Sequence, residues 1–323
     1  MYISRASHLT GFTLVGHMEM RNSQEHRYAS QADVYYRFAR GGSEEVLART
    51  WFDKTTVDAW RHERMYEALL PIVQNHPGSR WLTIGDGRYG CDAAYLAGKG
   101  MKVLATDVGD TLLQEALASG HISACRKENA ESLSFPDGMF DFVLCKESYH
   151  HCPRPMVALY EMLRVASQAV VLIEPNDCMV NRTWAERATD GLVLAVKRLL
   201  GRTSAVQEFE EAGNYVYRVS QREMEKVALG LGLRYVAFKG INDHYVAGVE
   251  HEKAEANGPL FRKVRGRIRF KNVLCLFHLR QYDLLATVIF KADIKEVTKA
   301  GLARQGYRCV ELPPNPFAGQ HEP

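Results

Sequence analysis

The chain lacks the marks of several common protein classes. Its seven cysteines (Cys91, Cys125, Cys145, Cys152, Cys178, Cys275, Cys309) are scattered, odd in number and never spaced CxxC. That argues against a disulfide framework or a zinc site, and for reduced thiols in the cytoplasm. His150-His151-Cys152 looks metal-like, but consecutive residues rarely ligate one ion together and no second ligand pair is suitably spaced. Glu174 and Asp177 would need a further acid to hold magnesium, so no metal is expected. No apolar run approaches the length of a membrane span, and the first twenty residues, with His8, His17 and Glu19, do not read as a secretory signal. A net charge of +3 is too small to imply nucleic-acid binding by itself. There is no internal repeat and no low-complexity tract. What remains, 323 residues of which 46% are hydrophobic, can bury a full core as one large domain or one domain with appendages.

The most telling stretch is Trp81-Leu82-Thr83-Ile84-Gly85-Asp86-Gly87-Arg88-Tyr89-Gly90, a buried-strand pattern running into a glycine-rich turn. A helical pattern follows from Cys91, and a second strand, Met101 to Thr106, delivers Asp107 to its carboxyl end. Glycines let the backbone turn sharply and approach a ligand, and a helix start offers free N–H groups to an anion. A carboxylate about 20 residues further on can accept hydrogen bonds from both hydroxyls of a ribose. The pattern asks for an adenosine-based ligand: NAD or FAD, a nucleotide, or S-adenosylmethionine.

The stretch from Glu128 to Cys145, through Asn129-Ala130-Glu131 and a Pro136-Asp137-Gly138 turn to Phe140-Asp141, leads into Glu147-Ser148-Tyr149-His150-His151. Later, Ala169 to Glu174-Pro175 forms another apolar run. Together these resemble the class I S-adenosylmethionine-dependent methyltransferases, especially the small-molecule group that includes quinone-biosynthesis enzymes. The resemblance covers about residues 56–176. It implies that the turn Gly85-Asp86-Gly87 to Gly90 holds the methionine moiety and ribose edge, and that Asp107 binds the ribose hydroxyls. Asn129 and Ala130 would meet the adenine rim, and Lys146, just after Cys145, would face the methyl group. Thr83 and Asn129 stand where the family usually has acids, and the glycine spacing is one residue longer. Arg88 is a candidate partner for the methionine carboxylate; Arg61 and His62, on the preceding helix, are others.

The implied fold is α/β: a Rossmann-like, doubly wound, mostly parallel seven-stranded sheet with helices on both faces. Residues 1–54 read as an N-terminal cap segment. Residues 55–323 read as the methyltransferase domain, with insertions at about 178–218 and 241–281. Thr55 to His76 is an expected helix, as are Trp184 to Leu200 and Gln221 to Leu231; Arg234–Phe238 and Tyr282–Lys291 are expected strands. The extra segments would form a substrate cap, with an oligomer interface as the alternative use. The run Arg262 to Lys271 is the one dense basic patch and favours an anionic or glycan-linked acceptor.

Methyl transfer to a hydroxyl benefits from a base near neutral pKa. His150 and His151 are the candidates, with Glu147 or Tyr149 orienting the acceptor. The expected activity is O-methylation of a small-molecule or saccharide acceptor, with S-adenosylmethionine as cofactor. Nucleic acid is not an expected partner. Pro313-Pro314-Asn315-Pro316 lies in the C-terminal tail, whereas the fourth strand ends in Cys145-Lys146-Glu147. An NAD-linked oxidoreductase is one alternative, but its Tyr-x-x-x-Lys pair matches only Tyr235 and Lys239, on an expected strand where the two groups stand too far apart to cooperate. A non-catalytic S-adenosylmethionine-binding protein is the other.

Overall fold

A computed structural model describes residues 27–30, 32–33, 36–39, 42–189, 209 and 214–316. Eight strands form one sheet: β1 (Arg80–Ile84), β2 (Lys102–Asp107), β3 (Cys125–Lys127), β4 (Phe140–Lys146), β5 (Ala166–Pro175), β6 (Tyr235–Ile241), β7 (Leu284–Phe290) and β8 (Arg308–Glu311). Their spatial order is β3-β2-β1-β4-β5-β7-β6-β8. The first five run parallel; β7 is antiparallel to both β5 and β6, and β8 is antiparallel to β6. The doubly wound expectation stands, with one strand more than expected. That strand, β8, follows the last helix and hydrogen-bonds to the free edge of β6.

The described helices include α1 (Ser43–Arg49), α2 (Val57–Tyr66), α3 (Leu70–Val73), α4 (Cys91–Gly98), α5 (Thr111–Ala118), α6 (Pro155–Val165), α7 (Gln221–Gly230), α8 (Pro259–Leu276) and α9 (Glu296–Arg304). Central strands covered on both faces read as continuous apolar runs, and β7 is buried at every residue. Alternation along β1 sends Leu82 and Ile84 to a core with Leu159 and Met162 of α6 and Met224 of α7. Trp81 goes to the other face, where it stacks on Phe142 at 4.8 Å among Met65, Leu69, Ile72 and Leu302.

The helix expected over 55–76 is broken. Thr56 caps α2 by accepting the Ala59 N–H, and a 3₁₀ turn at Glu67–Leu69 then precedes α3. Pro71 lacks the N–H that a continuous helix would give to the Glu67 carbonyl, so the chain tightens there. β6 runs three residues beyond its expected end, and β7 is shorter than its expected span. Of the helix expected at Trp184 to Leu200, residues 184–189 are helical and the rest lies outside the described residues, as does most of the region 1–54. The basic run is part of α8, a helix within the connection between β6 and β7.

Candidate active site

Between β1 and α4 the chain makes two left-handed excursions. Gly85 has φ +69°, and a Cβ there would lie 1.6 Å from Ser148 Oγ, so this turn and the loop after β4 meet where only hydrogen fits. Tyr89 (φ +56°) and Gly90 (φ +68°) form the second excursion. Here the extra residue of the glycine spacing is absorbed. Tyr89 is fully buried against Phe52 at 4.3 Å and Trp51 at 6.2 Å.

Two residues expected to contact the cofactor also serve the fold, Asp86 from the lining of the larger of two cavities and Gly90 from outside both. The carboxylate of Asp86 turns inward, accepting from Thr83 Oγ1 (2.8 Å) and from the backbone N–H groups of Asp92 (3.1 Å) and Ala93 (2.9 Å). Burial, then the charge of Asp92, push it well above the usual carboxylate range. Asp86 thus satisfies the orphan donors of α4, and Thr83, in the family's acidic position, serves that bond. Gly90 lines neither cavity described below; a Cβ on it would press within 2.8 Å of Ile122.

The smaller cavity, about 60 Å³, lies at the carboxyl ends of β1 and β2. Asp107, Asn129, Ala130, Gly85 and His151 line it, with Arg27 and Tyr28 from the N-terminal region. Burial pushes the Asp107 carboxyl up to about 7, against the opposing pull of N–H donors from Gly109, Gly87 and Val108. Gly87 thereby contributes through its backbone. Asn129 Oδ1 already accepts the Glu131 N–H at 2.9 Å, and a second lone pair remains for a ligand. Glu131 in turn accepts from Tyr28 (2.5 Å) and Arg154 (2.6 Å). Sequence reasoning missed Asn214, which falls in the region expected as an insertion. Its amide donates to the His151 carbonyl at 2.9 Å, while its Oδ1, buried beside this cavity, is without a hydrogen-bond partner among the described residues. An unsatisfied buried acceptor beside a buried acid suits a ligand bearing hydroxyl or amino donors.

The larger cavity, about 800 Å³, meets the smaller one at Gly85 and His151. Its lining includes Lys146, Glu147, His150, Arg88, Trp51 and His62. Lys146 would be lowered by burial, but Asp92 (3.3 Å) and Glu147 (3.6 Å) overcome that and hold it above its ordinary value. Glu147 has φ +50°, a strained backbone immediately after β4. Arg88 pairs with Asp58 at 2.8 Å, meets His62 Nε2 at 2.7 Å and lies over Trp51 at 4.5 Å. His62, whose Nδ1 is 3.3 Å from Lys146, is held well below the usual imidazole range by burial and then by Lys146, Arg88 and Arg61. Arg61 is committed elsewhere, to Asp58 at 2.7 Å and to Asp243.

His150 Nδ1 lies 2.6 Å from Oε2 of Glu174, which is fully buried and takes the backbone N–H groups of Ser148 and Tyr149 on Oε1, each at 2.9 Å. Glu174 is therefore spent on His150 and its loop. Among the described residues no three His, Cys, Asp or Glu side chains gather as a metal site. Tyr149, expected as an alternative to Glu147 for orienting the acceptor, is instead buried in the core. No residue from 262 to 271 lines the large cavity. Tyr235 and Lys239 both lie on β6 and bond apart, to Glu311 and Gln305.

A family model described as a methyltransferase domain matches residues 82–174, the segment from β1 to β5 that builds both cavities. No curated protein matches the chain in sequence. Solved structures that are similar include an S-adenosylmethionine-dependent methyltransferase from Archaeoglobus fulgidus, at 16% identity and TM-score 0.43 over 78% of this chain and 96% of that one. Another comes from Methanosarcina mazei, at 16% identity and TM-score 0.42 over 68% and 97%.

Proposed function

We propose that the chain, whose residues 82–174 match a methyltransferase-domain family model, is a class I S-adenosylmethionine-dependent O-methyltransferase acting on a small-molecule or saccharide acceptor, with S-adenosylmethionine as its cofactor. In this reading the smaller cavity takes the ribose edge of the adenosine, since about 60 Å³ holds only part of it. Asp107 accepts from the ribose hydroxyls, and Asn129, Ala130 and Asn214 meet the adenosine edge. The Gly85–Gly87 turn and Arg88 hold the methionine end. When bound, the cofactor supplies an already activated methyl group, so the chain's task is to position the acceptor and move one proton.

The observation that carries this reading is the His150–Glu174 pair at the wall of the large cavity. A carboxylate on Nδ1 fixes the tautomer, makes Nε2 the proton-accepting nitrogen and stabilises the imidazolium formed by taking the acceptor's proton. His62 is the competing base. Its three flanking cations disfavour a further positive charge, so His150 is the better acceptor. His151, at the junction of the two cavities, and Glu147 and Lys146, at the end of β4, would orient the acceptor. Seven scattered cysteines, none spaced CxxC, support a reducing, cytoplasmic setting.

The test is release of S-adenosylhomocysteine over a panel of hydroxyl-bearing acceptors, followed by His150→Ala at saturating cofactor. His150→Ala should lower kcat at least about tenfold with cofactor affinity unchanged. An undiminished kcat would remove His150 as the base, and turnover only with amine acceptors would replace the oxygen reading.

A further inference from the structure

Helix α8 holds the chain's dense basic run away from the large cavity. Its packed side is Phe261, Val264, Ile268 and Cys275. At 3.6 residues per turn the opposite side is a line of Gly266, Phe270, Val273 and, at the C-cap, Phe277. The three large side chains of that line are 52%, 50% and 66% exposed. Arg262 and Arg269 border the line on one flank and Lys263 and Arg267 on the other, all four exposed. Further exposed apolar side chains lie on the segment tied to the chain just past the helix. Thr183 donates to the Leu279 carbonyl and Gln281 to the Cys178 carbonyl, which ties in a segment exposing Met179 and Trp184. Beside the line lies a shallow depression of about 760 Å³, lined in part by Arg262, Lys263, Arg267, Phe270, His244 and Tyr245. Burial, then the charges of Lys271, Arg267 and Lys263, hold His244 below the usual imidazole range, with Asp243 opposing them.

An apolar ridge between two rows of cations matches the layering of a bilayer surface. Rings enter the acyl boundary, and long cationic side chains reach the phosphates. A protein partner matches less well, since interface cores are depleted in charge. A nucleic acid would engage the cations and leave much of the ridge in water. We propose that α8 docks the protein on an anionic lipid surface, with Phe270, Val273 and Phe277 in the headgroup layer and lipid phosphates in the adjoining depression. The packed side of α8, opposite the docked face, is the one that reaches the large cavity: Phe261 meets Trp60, which lines that cavity, at 4.9 Å.

The experiment is flotation of the full chain with vesicles of mixed phosphatidylglycerol and phosphatidylcholine, and with phosphatidylcholine alone. Binding to the mixed vesicles alone is expected. It should fall roughly tenfold or more in Phe270→Ser/Val273→Ser/Phe277→Ser, and again in Arg262→Glu/Arg267→Glu. Circular dichroism and S-adenosylmethionine affinity should match the parent in both variants, since neither touches the packed side of α8. Absence of binding by the parent overturns the proposal. So does a ridge variant that binds as well as the parent, which would mark a charge-only site for a polyanion such as RNA. A dimer of the parent that the ridge variant dissolves would make the ridge a subunit contact instead.

Discussion

The two cavities share Gly85 and His151 and are otherwise built by opposite means. Around Asp107 the principal donors are main-chain N–H groups, and the acid, its turn and its strand are close neighbours in sequence. Around Lys146 the polar work is done by side chains from distant segments: Asp58, Arg61 and His62 from α2, Arg88 from the turn, Asp92 from α4 and Asp243 from beyond β6. A main-chain site tolerates a change of side chain provided the backbone path holds. A network of buried charges does not, because each member compensates another that has left water.

That contrast is most easily broken at Arg61. Removing it leaves Asp243 and Asp58 buried beside one less cation, so Arg61→Ala should destabilise the fold by about 3–5 kcal/mol in urea denaturation. A loss below about 1 kcal/mol would mean the network is solvated and the contrast false. Asp107→Ala should do the reverse. It should weaken S-adenosylmethionine binding by about 1.5–3 kcal/mol in calorimetric titration, with little change in stability, because it removes a carboxyl that burial already disfavours. An unchanged dissociation constant would mean that Asp107 is not the ribose acid.

The smallest effect sharpens the comparison through pH. The folded Asp107 carboxyl is raised from 3.8 to about 7, so ionising it costs the unliganded fold, and its contribution to stability falls as pH rises between those values. Ribose binding needs the ionised acceptor. Affinity for S-adenosylmethionine should therefore rise from about pH 6 to about pH 8 by roughly 1 kcal/mol, and Asp107→Asn should flatten the profile. A flat profile in the parent would assign the ribose contact elsewhere.

The same contrast explains what was legible in the sequence. Apolar runs, a glycine turn and an acid at a strand end are local patterns, and local patterns specified the order β1 to β5 and the place of Asp107 at the end of β2. Tyr89 shows the limit. An extra residue in the turn was visible, but its use as a buried ring between Trp51 and Phe52 depends on a segment some forty residues earlier. The pairing of Glu174 with His150 joins the ends of two strands whose adjacency follows from sheet order, not from spacing. Asn214 carried no signal of its own, since an amide acquires meaning only from what surrounds it. Asp86 shows the ambiguity of a carboxylate in a glycine turn, which suits both a ligand and a helix N-terminus: it lines the larger cavity while its oxygens accept from Thr83, Asp92 and Ala93.

The sheet ends on both sides in short strands, β3 with three residues and β8 with four. Arg126 and Lys127 stand exposed on the first, Arg308 and Glu311 on the second. Edges this brief and this charged offer a foreign strand few hydrogen bonds and an ionic penalty, so extension of the sheet from one copy into another is disfavoured. Copies of this chain that associate would therefore meet through helices, and crowding in the cell should leave the protein dispersed rather than zipped into fibrils.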